Sequence, residues 1–119
     1  MGTYYLNGSE YVTSRPQEKE LALALGTMVG LQGVLRLQTG QHTVVWRGGG
    51  KIASVVRREE RIEEGHLTVD SIFFQLLPEP AGEEPWTVTL PLDQYLGLTR
   101  YGQDMLMRFE GYTWHWTPQ

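Results

Sequence analysis

The spacing of apolar and polar positions changes period along the chain, and each change predicts an element. Tyr4, Tyr5 and Leu6 run into Asn7-Gly8, and Tyr11-Val12-Thr13 follow Ser9-Glu10. Asn and Gly both accept positive φ, so the pair predicts a tight hairpin over residues 3–13. Its strands are short and must lean on the rest of the domain. Leu21, Leu25, Met28 and Val29 then recur at helical spacing and define one apolar face. Ser14 is the expected N-cap, with Gln17 in the capping-box position. Pro16 falls in the first turn, where its missing N–H costs nothing. Glu18 and Glu20 suit the positive end of the helix dipole, and Gly26 or Gly30 is the expected C-terminal glycine.

From Val34 the period becomes two. Val34–Gln38 and Gln41–Trp46 flank Thr39-Gly40 and predict a second hairpin. Gly48-Gly49-Gly50 reads as a flexible turn, too mobile for the interior of either element. Residues 51–64 (KIASVVRREERIEE) fit two templates. Ile52, Val55, Val56 and Ile62 allow an amphipathic helix, but no N-cap precedes Lys51, and Glu63-Glu64 would sit at the unfavourable end of the dipole. The β-branched Val55-Val56 favours a strand. The expected reading is a long strand that turns near Glu64-Gly65 and returns as Leu67–Leu77.

The stretch 78–85 (PEPAGEEP) excludes regular structure through its prolines and glycine. Trp86–Leu92 alternates without a fault, Trp86, Val88, Leu90 and Leu92 against Thr87 and Thr89. Asp93–Arg100 reads as one short helical turn. A last hairpin joins Asp104–Phe109 to Tyr112–Thr117 across Glu110-Gly111, with Tyr112, Trp114 and Trp116 on one face. The fold class that follows is α+β. One helix packs on a curved, mainly antiparallel sheet or partly closed barrel of about seven strands. Open sheet edges invite pairing, so a homodimer is a natural expectation.

Composition sharpens the picture. A chain of 119 residues is one domain's worth, and 40% apolar with 20% charged residues is ordinary for a globular fold. The 14 glycines are about twice the usual share of ~7% and fit a chain that turns often. The absence of cysteine removes disulfides and thiolate chemistry and is compatible with a cytoplasmic protein. No apolar run reaches the ~20 residues of a membrane-spanning helix, and the N-terminus does not read as a signal peptide. A net charge of −4 makes nucleic acid an unlikely partner.

No motif names a reaction, a metal site or a cofactor, and none of the latter is expected. His42, His66 and His115 lie in separate predicted hairpins, away from any ligand spacing. Ser9, Ser14, Ser54 and Ser71 sit in no nucleophile elbow, and Asp70, Asp93 and Asp104 are scattered. The segment Trp46-Arg47-Gly48-Gly49-Gly50-Lys51 is the leading ligand site. Glycine N–H groups can approach an anion, Arg47 and Lys51 supply charge, and Trp46 can stack. Arg57 and Arg58 lie within reach downstream. The plainer reading of the same residues is a solvated turn. The face carrying Tyr112, Trp114 and Trp116 is a second candidate, set against core packing. Three functions follow: a non-enzymatic protein that binds a partner protein through a β-rich surface, a binder of a small anionic or nucleotide ligand at Trp46, Arg47, Gly49, Lys51, Arg57 and Arg58, and a small hydrolase using His66 or His115.

Overall fold

A computed structural model describes residues 2–41, 43–62, 67–78 and 83–119. A first hairpin, β1 (Gly2–Leu6) and β2 (Ser9–Thr13), turns at Asn7 and Gly8, whose φ values are 51° and 79°. Helix α1 (Pro16–Met28) follows. The main sheet contains β3 (Gln32–Thr39), β4 (Thr43–Ile62), β5 (Leu67–Pro78), β6 (Trp86–Pro91), β7 (Tyr95–Tyr101), β8 (Asp104–Phe109) and β9 (Tyr112–Pro118), with a 3-10 turn at Leu92–Gln94. Its order is β6-β5-β4-β3-β9-β8-β7, antiparallel at every pairing. No helix among the described residues is long and apolar enough to cross a membrane.

The helix starts one residue later than a serine cap predicts. Arg15 occupies the N-cap position without a side-chain bond, and Pro16 is the first helical residue. The proline decides this, because the residue before it is held extended. The Thr13 hydroxyl accepts the Arg15 N–H instead, at 3.0 Å. At the other end Gly30, at φ 84°, makes the left-handed exit, and its N–H bonds to the Ile52 carbonyl at 2.8 Å.

Three features depart from a plain reading of the period. The glycine triplet is not a turn: Gly48–Gly50 lie inside β4, paired with Leu35, Val34 and Gly33 of β3. At Gly48 and Gly50 glycine is needed for space. A Cβ at Gly48 would meet the Trp46 indole at 2.5 Å and the Trp86 ring at 3.0 Å, and one at Gly50 would collide with the Leu77 carbonyl. Second, residues 95–101 form strand β7 rather than a helical turn, which is confined to Leu92–Gln94. Third, β4 carries a bulge between Ala53 and Val56, with Ser54 at φ 55°. The bulge inverts the alternation, so Val55 and Arg57 rather than Ser54 and Val56 take the inner side. The long-strand reading of 51–62 holds. The Glu64-Gly65 turn and half of the acidic loop, residues 79–82, lie outside the described residues.

Topology forces the sheet to coil. A flat seven-strand sheet holds its edges roughly 29 Å apart at about 4.8 Å per strand. Yet the edge strands β6 and β7 are joined by only Leu92–Gln94, which even extended reach at most ~14 Å. The antiparallel pairings also make β6 and β7 run in the same sense. The end of β6 therefore has to meet the start of β7 by the sheet curling over itself. The inner face buries Leu35, Ile52, Phe74, Leu90, Met107 and Trp116, and Leu21, Leu25 and Met28 of α1 join the same core. Tyr4 and Leu6 of β1 close it from the hairpin side.

Candidate functional site

The long strand β4 parts the residues expected to form an anion site. Trp46 faces the inner side with Gly48, while Arg47, Gly49 and Lys51 point outward, as period two demands. Arg47 and Gly49 line a shallow recess of about 300 Å³ together with Glu83 and Trp86, and Trp46, Lys51, Arg57 and Arg58 do not line it. Arg57 is engaged elsewhere. Its Nε lies 3.6 Å from Glu18 Oε2 and its Nη2 3.2 Å from Asp70 Oδ2. Glu18 is 3% exposed and also accepts the Tyr4 hydroxyl at 2.8 Å. Burial first, and then the bond to Glu18, pushes the Tyr4 phenol well above its ordinary range. Burial works against the Arg57 charge, but Glu18, Tyr4 and Asp70 outweigh it and the net shift is upward. This network ties β1, α1, β4 and β5 together. Arg58, beyond the bulge, holds its guanidinium 5.9 Å from the Phe73 ring centre.

Of the three histidines, His42 and His66 lie outside the described residues. His115 Nε2 stands 2.7 Å from Asp104 Oδ2 on the outer face of β8 and β9. The carboxylate can only accept, so Nε2 carries the proton, and Nδ1 faces the Gln38 amide at 3.4 Å. The Thr117 hydroxyl donates to the same Asp104 oxygen at 3.1 Å and accepts from Arg36 Nη1 at 3.0 Å. The bond from His115 is the main cause that holds the Asp104 carboxyl below its ordinary value. Because Thr117 donates to Asp104 and not to the imidazole, the row lacks a nucleophile–base bond. Among the described residues no group of three metal-ligating side chains converges.

The hairpin of β8 and β9 supplies a different site. An apolar recess of about 340 Å³ is lined by Leu37, Thr39, Thr89, Glu110, Gly111, Tyr112 and Trp114. Leu37, Trp114 and Tyr112 come to it by alternation: Leu37 pairs with Trp114 and Thr39 with Tyr112. Thr89 comes from β6, at the far edge of the sheet, and reaches the recess only because the sheet curls. Trp114 is held at its rear by Trp46, edge-on at 5.7 Å, and Trp46 in turn by Trp86 at 5.3 Å. Tyr112 stacks one ring face on Phe109 at 5.2 Å and points its hydroxyl at Gln94. Burial, and then the charge of Asp93, raises its pKa and keeps the phenol neutral. The Trp114 indole N–H is buried, and no acceptor for it is found among the described residues. Glu110 enters no ion pair among them.

Sequence reasoning picks out the aromatic face of β9, and the structure divides it: Trp116 is core at 1% exposure, while Trp114 and Tyr112 wall the recess. The Asp104–His115 contact escapes a reading by isolated residues, although counting outward from Glu110-Gly111 pairs Leu106 with His115 and leaves Asp104 diagonal to it. No local signal marks Thr89. Comparison with protein-family models, curated proteins and solved structures finds no match to this chain.

Proposed function

We propose that the protein is a non-enzymatic binding protein whose site is the recess between Trp114 and Thr89 at the seam of the coiled sheet. The observation that carries the reading is an open, largely apolar recess of about 340 Å³ walled by two aromatic side chains, Trp114 and Tyr112. The recess volume falls at the small end of the ~300–1,000 Å³ of small-molecule sites, and the mouth of a β-barrel is a common place for one. The lining supports binding over chemistry, since among the described residues neither a paired nucleophile nor a converging acid pair lines the recess.

The test is a titration with the uncharged fluorophore N-phenyl-1-naphthylamine, followed by its emission and by tryptophan quenching. Saturable binding is expected, and Thr89→Phe, which fills the recess from an exposed position, should abolish it while the fold stays intact. Unchanged binding by that variant sinks the assignment. Partner-protein binding through the outer face is the competing reading, and it predicts no effect of Thr89→Phe on any interaction.

A further inference from the structure

Resting on that assignment, we infer that the recess takes an organic cation, a small alkylated ammonium, recognised by the Trp114 and Tyr112 rings and by the Glu110 carboxylate. Three observations converge on it. The first is charge. Among the described residues Glu110 is the one ionisable acid lining the recess, and no lysine, arginine or histidine among them lines it. The adjoining recess, which shares Gly111 and Tyr112, also has no basic residue among the described ones. An anion would enter apolar surface with a like charge at the rim and nothing to compensate its desolvation.

The second is the aromatic wall. A ring face carries the negative side of the π quadrupole and attracts a cation, most strongly for Trp. Phe109 covers one face of Tyr112, stacked at 6° between planes, so the other is the face left for a ligand. Trp46 meets Trp114 at 78°, an edge contact that fixes the indole without stacking on it. The third is the state of the carboxylate. Glu110 sits at the β8–β9 tip, where its backbone N–H is held by the Gln94 carbonyl at 3.0 Å, while its side chain enters no ion pair among the described residues. An alkylated ammonium is weakly hydrated and bulky, so it loses little on leaving water for this wall. The same reasoning disfavours a primary ammonium, whose three N–H donors would face rings and one carboxylate.

The experiment compares three ligands of one shape: choline, its uncharged carbon isostere neohexyl alcohol, and the anion of tert-butylacetic acid. Binding is read from the Trp114 indole N–H cross-peak in ¹H–¹⁵N spectra of the full chain. Choline should bind about tenfold more tightly than the alcohol, a difference of ~1.4 kcal/mol, and the anion least. Glu110→Gln, a change at an exposed turn, should weaken choline about threefold and leave the alcohol unaltered, and added salt should weaken choline alone. Equal affinity for choline and the alcohol overturns the cation inference and leaves the recess assignment standing. So does preference for the anion, or silence of Trp114 with all three while N-phenyl-1-naphthylamine still binds. Loss of binding of that fluorophore as well removes both.

Discussion

At the scale of single residues, the glycines of β4 show how position decides meaning. Gly48, Gly49 and Gly50 are identical in sequence and differ in what surrounds them. A Cβ at Gly49 would find its nearest neighbour, the Gly33 carbonyl oxygen, at 3.8 Å, whereas one at Gly50 would strike the Leu77 backbone. Gly49→Ala should therefore change stability by less than ~0.5 kcal/mol, and Gly50→Ala should cost ~2–3 kcal/mol through forced displacement of β5. Urea denaturation of the two variants gives the comparison, and equal costs would mean that the close passage of β4 and β5 is wrong. Three glycines together advertise flexibility to a reader of sequence. Here Gly48 admits the Trp46 and Trp86 rings and Gly50 the close passage of β5, requirements that only the packed partners reveal. Arg57 makes the same point. Its place just downstream of the glycines reads as a cation for an anionic ligand, but the bulge at Ser54 turns it inward onto Glu18.

At the scale of elements, two hairpins are held by single polar side chains. The Asn7 amide donates to the Val55 carbonyl at 2.7 Å, docking the β1–β2 turn against the β4 bulge. Asn7→Gly keeps the positive φ and removes the bond, so its cost, ~1 kcal/mol, isolates the docking contact. Thermal unfolding would register it as a fall in Tm of several degrees, and an unchanged Tm would show that the turn is not anchored there. In the β8–β9 hairpin, Asp104 has a folded pKa below its unfolded one. Such a group contributes stability that is complete above the unfolded value of about 4 and is lost as pH falls through the folded value. The stability gap between the native protein and Asp104→Asn should thus be constant at neutral pH and shrink steadily below about pH 4. A gap independent of pH in that window would refute the His115 contact as its cause. Of these elements the hairpin tips at Asn7-Gly8 and Glu110-Gly111 were legible in the sequence, because such pairs between alternating runs have a local mechanism; the β3–β4 tip lies one residue further on than Thr39-Gly40 suggests, since Thr39 pairs with Thr43 and β4 starts there rather than at Gln41. The strand β7 was not. Tyr95–Tyr101 alternates weakly, and its edge is covered from outside the segment: the Glu20 carboxylate of α1 accepts the Leu98 N–H at 3.1 Å and the Tyr95 hydroxyl at 2.9 Å.

At the scale of the whole molecule, stability is set by which strands lie between others. β3 is bonded on both sides, to β4 and to β9, and its Leu35 is fully buried. Amides of β3 should exchange only through global unfolding, those of β6, at an edge, and of the docked β1–β2 hairpin through smaller openings. Hydrogen exchange resolved by residue measures this order, and earlier exchange in β3 than in β6 would contradict the strand order. The sequence by itself determined what depends on near neighbours: the helix face, the hairpin tips, the strand reading of 51–62 and the α+β class. Propensity, turn geometry and period act within a few residues, so they are written locally. The tertiary structure alone decided the recess, because Thr89 and Trp114 meet only when the short link at Leu92–Gln94 forces the sheet to curl. It also split the expected anion site, since whether neighbouring cations converge depends on strand alternation and on one bulge, and it separated Trp116, in the core, from Trp114, at the mouth. Curvature and burial are properties of the packed assembly of strands, and no stretch of chain short enough to read by its period contains them.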